Sequence, residues 1–161
     1  MIRVVGIDPG LAGTGVGVVT GSGITVTGYA FGSVKTDKNE PVHQRLDTIY
    51  SKVSDFIQTQ SPDLVIIEDI YSLEKYPGSG IMLGKVSGVL LLAASRHGTA
   101  VKEVAVREAK KVVCASGNAD KYQVERSVRN ILQHGERIRP FHASDALALA
   151  LAGFFRYESY L

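Results

Sequence analysis

The first ten residues, MIRVVGIDPG, determine how the rest of the chain is interpreted. Residues 4–7 form a short, mostly β-branched run, which predicts a buried strand. Asp8 ends that run, and Pro9 and Gly10 are typical turn residues. A carboxylate at the end of a core strand lies at the mouth of a sheet, where ligands usually bind. On its own, Asp8 is equally well explained as the first residue of a turn.

The composition is that of an ordinary globular protein. The 161 residues are 45% hydrophobic and 21% charged, which predicts one domain spanning residues 1–161 with a full-sized core. We expect a cytoplasmic protein with no membrane partner, because no apolar run approaches membrane-spanning length and the N-terminus lacks a signal region. Cys114 is the only cysteine, which excludes internal disulfides and cysteine-based zinc sites, and its apolar neighbours favour a core thiol over a nucleophile.

The positive charge is concentrated in one segment. Residues 107–139 hold eight Lys and Arg against four acids, a net charge of +4, which leaves −2 on the rest of the chain. A basic segment beside a slightly acidic body suggests a polyanionic partner, although a solvated helical face explains such a segment almost as well.

The opening of the chain has the pattern of an antiparallel meander. Residues 14–20 and 24–31 predict a second and a third strand, joined by short glycine turns. Lys35 to Glu40 is predicted as a polar loop, and a helix follows from Pro41. Residues 64–68 form a continuous apolar run typical of a strand buried on both faces, and it ends on a second acid, Glu68.

A glycine-striped helix is predicted after a loop at residues 71–80, and it extends to about Arg96. Gly80, Gly84 and Gly88 lie on one face at i, i+4 spacing, and each interior glycine costs a helix about 1 kcal/mol relative to alanine. Such a stripe indicates that something approaches closely, either from within the fold or from a second subunit. The spacing alone favours the fold.

The second half of the chain completes an α/β pattern. Residues 101–105 predict a fifth strand and residues 107–116 a short helix. Asp120 and Gln123 suit a capping box for the next helix, and a very apolar helix begins at Phe141. The order βββαβαβ followed by helices predicts a five-stranded mixed sheet, with three antiparallel opening strands and then parallel strands, flanked by helices.

The last helix contains the third acid. Asp145 lies three residues after His142, on the same helical face. A charged aspartate in so apolar a helix is costly to bury unless it is paired or bound to a cation, although an acid in the first turn can also favour the helix dipole. His142 alone is equally compatible with a solvated surface residue.

Considered together, these residues predict a cation site. Asp8 and Glu68 end strands that can be neighbours, and Asp145 and His142 begin a helix over the same edge. Clustered carboxylates repel one another unless they are protonated or neutralised by metal, and oxygen-rich sites select Mg²⁺ or Mn²⁺. Two such ions about 3.5–4 Å apart can activate water and stabilise the leaving oxygen in phosphodiester cleavage.

The same residues carry a family resemblance. The motifs are GIDPG (6–10), IEDIY (67–71), LGKVSG (83–88), ADKYQV (119–124) and HASDAL (142–147). In order and spacing, from residue 2 to about residue 155, the chain resembles the RuvC-type Holliday-junction resolvases. The resemblance implies an RNase H-like fold and a Mg²⁺-dependent endodeoxyribonuclease with two ions per site, for which Mn²⁺ can substitute.

The resemblance also assigns residues. It implies that Asp8, Glu68 and Asp145 bind metal, and that His142 either binds metal or positions the attacking water. Tyr71 falls where the family has an aromatic that stacks on an unpaired base, with a tyrosine packed on the core as the alternative. Lys121 matches a lysine near the scissile phosphate. Further expected DNA contacts are Lys110, Lys111, Arg126 and Arg129. Lys111, Arg126 and Arg129 are explained equally well as residues of a solvated helical face.

The expected activity is resolution of four-way DNA junctions in recombination and repair. The resemblance implies paired symmetric nicks with 5′-phosphate and 3′-hydroxyl ends, a homodimer whose interface includes the glycine-striped helix, and the RuvA–RuvB branch-migration proteins as partners. Two alternatives stay open. The GIDPG turn also resembles the phosphate hairpin of actin and Hsp70 ATPases, for which 161 residues are too few. A non-catalytic junction-binding module would use the basic segment and Tyr71 and would leave the acids as structural caps.

Overall fold

The computed structural model describes residues 1–70 and 77–161. The strands are β1 Ile2–Asp8, β2 Gly13–Ser22, β3 Thr25–Lys35, β4 Leu64–Asp69 and β5 Ala100–Ala105. The helices are α1 Val42–Gln60, α2 Pro77–Arg96, α3 Val106–Cys114, α4 Lys121–Ile131, α5 Phe141–Phe155 and α6 Tyr157–Tyr160.

The five strands form one mixed sheet in the order β3-β2-β1-β4-β5. β1 pairs antiparallel with β2 and parallel with β4, and β5 extends the parallel side. The predicted sheet is therefore confirmed, including the adjacency of the strands that end near Asp8 and Glu68. β1 and β4 lie at the centre because their apolar runs are buried on both faces.

Helices cover both faces of the sheet. One apolar cluster joins α3, α4 and α5 to one face and includes Val4, Ile66 and Leu147. The other cluster joins α1 and α2 to the opposite face. We call these two sides the α5 face and the α2 face.

Helix α5 lies unusually close to the sheet, because glycines of β1 and β2 stand beneath it. A Cβ added at Gly6 would overlap the Ala146 carbonyl oxygen, and one at Gly15 would overlap the His142 carbonyl. The glycines thus remove the side chains that would otherwise hold the helix away from Asp8.

Several predicted boundaries are wrong by a few residues. β3 continues to Lys35, β4 extends one residue past Glu68, and α2 begins at Pro77 rather than after Gly80. Helix α3 ends at Cys114, because Ala115 adopts a left-handed backbone with φ 57°. The capping box of α4 is confirmed: Asp120 accepts from the Tyr122 and Gln123 amides, while Gln123 accepts from the Asp120 amide.

Two expectations about α2 need correction. Within the described ranges it is the one helix long and apolar enough to cross a membrane by length and composition, contrary to the expectation that no such run exists. Val86, Leu90 and Ala93 are nonetheless fully buried in the cluster on the α2 face. Gly84 and Gly88 do not pack against the described residues, because a Cβ added at either would have no atom of residues 1–70 or 77–161 within 4 Å.

Candidate metal and DNA-binding site

The sheet register puts the first two acids side by side on the α5 face. Asp8 pairs with Gly15 across the antiparallel ladder, and Ile7 pairs with Ile67 across the parallel one, so Glu68 follows one residue later beside Asp8. Side chains alternate along a strand, and Gly6 and Ile66, two residues earlier, both contact α5. Asp8 and Glu68 therefore point toward α5, as the sequence predicted.

Helix α5 brings the third acid and the histidine to the same place. An acid favours the helix dipole when it lies in the first turn. Asp145 is the fifth residue of α5 and lies beyond that turn. Capping therefore does not account for it. His142 Nδ1 lies 2.6 Å from Asp8 Oδ2, with the Asp8 side chain nearly buried and the His142 side chain half exposed.

The cluster carries an electrostatic cost in the absence of a cation. Burial and the neighbouring Asp8 carboxylate raise the pKa of Glu68 from its ordinary value near 4.5 to about 8. Burial and Asp8 likewise raise the pKa of Asp145 to about 6. The hydrogen bond to Asp8 raises the pKa of His142. At neutral pH, a proton on Glu68 thus reduces repulsion among the acids.

Lys110, which the sequence placed at the DNA surface, also lies near the acids. It is half-buried on α3, and its charge opposes the rise in the pKa of both Glu68 and Asp145. Sequence reasoning missed this proximity, because it depends on how α3 packs against α5.

The donor set fits a hard divalent cation. Among residues 1–70 and 77–161, no three His, Cys, Asp or Glu side chains are already arranged to hold a metal ion. The three carboxylates nevertheless lie within electrostatic reach of one another and are partly or fully buried, and the charge of Lys110 opposes the raised pKa of Glu68 and Asp145. Carboxylate oxygens are the ligands that Mg²⁺ and Mn²⁺ prefer, and a cation would displace the protons.

Lys121 is the first residue of α4, and its side chain lies next to the start of α5. Its ammonium group is 4.9 Å from the centroid of the Phe141 ring and 5.4 Å from that of Tyr122. The Arg139 guanidinium lies 4.1 Å from the Phe141 centroid. Phe141 immediately precedes His142, so this cationic stack adjoins the acidic cluster.

A groove of about 360 Å³ continues from this stack. Four arginines, two of which sequence reasoning left unassigned, line it: Arg126, Arg129, Arg137 and Arg139. We call it the arginine groove. The clue in the sequence was the +4 segment, but that segment gave no indication of which of its residues converge.

The acids in the arginine groove are already engaged by the protein. Glu125 is buried, accepts hydrogen bonds from Arg129 Nε and the Ile138 amide, both 3.0 Å, and has a lowered pKa. Asp120 caps α4. Arg129 is thus partly neutralised, whereas Arg126 and Arg137 are exposed and make no ion pair with the described residues.

The remaining candidates differ in how they are placed. Lys111 is exposed on α3, as expected for either a DNA contact or a solvated residue. Tyr71 lies outside the described residues. Cys114 is partly buried against the core, consistent with a structural thiol.

Comparisons with known proteins agree with this geometry. Residues 4–153 match the family model described as crossover junction endodeoxyribonuclease RuvC. The enzyme of that name from Corynebacterium jeikeium is 39% identical over 94% of this chain and 93% of its own length. The Erythrobacter litoralis enzyme is 36% identical over 94% and 92%.

Solved structures give the same relationship. Thermus thermophilus RuvC, in complex with a Holliday junction substrate, superposes with a TM-score of 0.90 at 31% identity, over 99% of this chain and 96% of that chain. The yeast mitochondrial Holliday junction resolvase Ydc2, at 12% identity and a TM-score of 0.63, shares the fold. The predicted RNase H-like fold is thereby confirmed, and this chain belongs to the RuvC family of crossover junction endodeoxyribonucleases.

Proposed function

We propose that this protein is a structure-selective, metal-dependent endodeoxyribonuclease that resolves Holliday junctions by paired symmetric nicks. The observation that supports this most is the convergence of Asp8, Glu68 and Asp145 on the α5 face, where Asp8 raises the cost of ionising both Glu68 and Asp145. The RuvC family membership supplies the reaction, which gives 5′-phosphate and 3′-hydroxyl ends.

The metal site consists of Asp8, Glu68, Asp145 and His142, and we propose that it takes two Mg²⁺ ions, with Mn²⁺ as a substitute. Such ions, when bound, activate water and neutralise charge on the leaving oxygen. Asp8 is central, because it contacts His142 and lies beside Glu68. Glu68 must lose its proton to act as a ligand, and His142 must leave Asp8 to meet either a cation or the attacking water.

Basic residues beside this site hold the DNA. Lys121 stands next to the start of α5, which suits a contact with the scissile phosphate. Lys110, within the electrostatic reach of Glu68 and Asp145, is proposed to contact the same strand and to hold the acids in place before metal binds. Lys111 and Tyr71 complete the proposed DNA surface, Tyr71 by stacking on an unpaired base.

The arginine groove extends that surface. Phosphate oxygens match the planar fork of guanidinium, and the groove begins at the ring of Phe141, one residue from His142. We propose that the DNA backbone flanking the scissile phosphate lies along Arg126, Arg129, Arg137 and Arg139, with Arg129 contributing least because Glu125 already binds it.

The wider assignments follow from the same proposal. Residues 1–161 act as one nuclease domain in the cytoplasm. A homodimer supplies one active site for each of the two symmetric nicks, because a four-way junction has two-fold symmetry. The RuvA–RuvB branch-migration complex is the proposed partner.

The test is a cleavage assay on a synthetic four-way junction, with a linear duplex of the same sequence alongside. With Mg²⁺ we expect nicks at symmetric positions on two strands, resealable by ligase, with little cut duplex and no products in chelator. Equal cleavage of the linear duplex would contradict structure selectivity, and binding without cleavage at any divalent-metal concentration would favour a non-catalytic junction-binding module.

A further inference from the structure

The side chain of Ser33 is buried without a hydrogen-bond partner. In the described part of the chain, Ser33 and Ser87 are the residues whose hydroxyl oxygens are inaccessible and unpaired. Leaving a buried hydroxyl unsatisfied costs about 1–3 kcal/mol, so such a group calls for an explanation.

Ser33 occupies the same row of the sheet as Asp8. Asp8 pairs with Gly15, and Gly15 pairs with Ser33, so the two polar residues stand on either side of a glycine on the α5 face. His142 lies directly over that glycine, since a Cβ at Gly15 would overlap its carbonyl.

His142 thus lies over the glycine that separates Asp8 from Ser33 in the sheet. Its Nδ1 faces Asp8 at 2.6 Å. The opposite edge of the ring faces Gly13. A Cβ built on Gly13 would lie 3.7 Å from His142 Cδ2 and 3.8 Å from the Ser33 hydroxyl oxygen. Because Gly13 has no side chain, nothing projects from it into the gap between ring and hydroxyl.

Asp8 is the observed partner of the ring, and Ser33 is a candidate second partner on the side of Gly13. A half-turn of the half-exposed imidazole exchanges the Nδ1 and Cδ2 positions and directs Nδ1 toward Ser33. A histidine that binds metal nearly always donates its other N–H to an oxygen partner, which fixes its tautomer and orientation. Asp8 fills that role while its oxygens are free, but a cation on Asp8 would compete for them.

We propose that Ser33 is a positioning residue for His142: its hydroxyl oxygen accepts the Nδ1–H hydrogen bond once Asp8 engages a cation, which leaves Nε2 free to face the reaction centre. This inference rests on the proposed function, because it assumes that Asp8 and His142 serve the same metal site. The Ser33 hydroxyl would then lack a partner only while no cation is bound.

The first arm of the test follows the imidazole directly. Nitrogen-15 spectra of His142, assigned with His142→Ala, are recorded for the wild type and Ser33→Ala, in chelator and with Ca²⁺ as a probe cation. We expect the two proteins to match in chelator. With Ca²⁺, the wild type should keep a protected Nδ1–H signal that Ser33→Ala loses. Ser54→Ala is the matched control, because its hydroxyl bonds the ring of His97 at 2.7 Å, far from the site in sequence.

The second arm separates a positioning role from a structural one. Loss of an outer partner of a metal-binding histidine should lower kcat about tenfold, with KM unchanged and with activity restored by Ser33→Thr. The melting temperature of Ser33→Ala should not fall, because the substitution removes an unsatisfied group. Spectra of His142 that are identical in wild type and Ser33→Ala with Ca²⁺, together with an unchanged kcat, would overturn the proposal. If the wild type cut no junction, the proposed function would fail, while the spectra would still decide the role of Ser33.

Discussion

The glycines on the two sides of the sheet have opposite surroundings. On the α5 face, Gly6 and Gly15 are covered by backbone atoms of α5, so the fold itself fills the space that a side chain would need. On the α2 face, Gly84 and Gly88 lie on a helix surface where an added Cβ would meet nothing. The first set brings a helix onto the acids, and the second leaves a smooth surface open.

The difference shows what a glycine pattern in a sequence can and cannot reveal. Both sets signal close approach, but only the structure shows whether the approaching element belongs to the same chain. On the α2 face the open glycines border a cavity of about 530 Å³ that also contains the buried, unpaired hydroxyl of Ser87. This surface suits the subunit contact of the proposed homodimer.

The largest expected effect comes from filling the covered face. Gly15→Ala places a Cβ on the His142 carbonyl, and backbone atoms cannot move aside without displacing α5. We expect a loss of at least about 3 kcal/mol in the free energy of unfolding, measured by urea denaturation, and loss of junction cleavage.

Gly28→Ala is the control, since it lies in the same sheet with open space around it. It should change stability by less than about 1 kcal/mol. Equal effects of the two substitutions would show that the covered glycines do not set the position of α5.

A second substitution addresses the open face. Gly84→Glu with Gly88→Glu should leave the protomer folded, because both positions face open space, but should weaken dimerisation about 100-fold or more through charge repulsion across the two-fold axis. Analytical ultracentrifugation measures the change, with Gly84→Ala as the small-residue control. A dimer of unchanged affinity would place the subunit interface elsewhere.

The third prediction concerns the acids of the covered face in the absence of metal. The pKa of Glu68, raised to about 8, exceeds its ordinary value near 4.5, so the folded state retains a proton that the unfolded chain releases. In chelator, stability should therefore fall as pH rises from about 4.5 to 8, and the raised pKa of Asp145 acts in the same direction.

Glu68→Gln removes the main source of this slope. Since one pKa unit corresponds to about 1.4 kcal/mol, the variant should be more stable than the wild type by roughly 1–3 kcal/mol at pH 8. Thermal unfolding in chelator at pH 5 and pH 8 provides the measurement. A wild-type protein equally stable at both values would mean that neither burial nor the neighbouring acids raise the pKa of Glu68.

The smallest expected effect lies in the arginine groove. Arg137→Ala should weaken junction binding and reduce the slope of log affinity against log salt by about 1, as loss of one phosphate contact predicts. The exposed Lys52 on α1 supplies the control variant, Lys52→Ala, which should change neither quantity. An unaltered salt slope for Arg137→Ala would remove the groove from the DNA path.

The sequence predicted the grouping of the three acids better than the arrangement of the basic residues around them. Asp8, Glu68 and Asp145 were identifiable because each interrupts or ends an apolar segment, where a charge is costly without a purpose. The same patterns predicted a five-stranded mixed sheet. The position of Lys110 beside the acids and the convergence of Arg137 with Arg126 depend on how α3, α4 and α5 pack, and periodicity along one helix carries no information about that.

The sequence also did not predict where α2 begins or which chain its glycines contact. The helix begins at Pro77, a residue that suits the first turn of a helix but equally suits the loop predicted there. Whether Gly84 meets its own chain or another depends on tertiary and quaternary contacts rather than on spacing.

Asp8 is the residue on which the account depends, because it links His142, Glu68 and the proposed cations. Asp8→Asn is assayed on a four-way junction with Mg²⁺, with junction binding and the melting temperature in chelator measured on the same preparation. We predict that cleavage falls at least about 10³-fold, that binding persists, and that the melting temperature does not drop, because one of the repelling charges is gone. Undiminished cleavage by a folded Asp8→Asn protein would contradict the account.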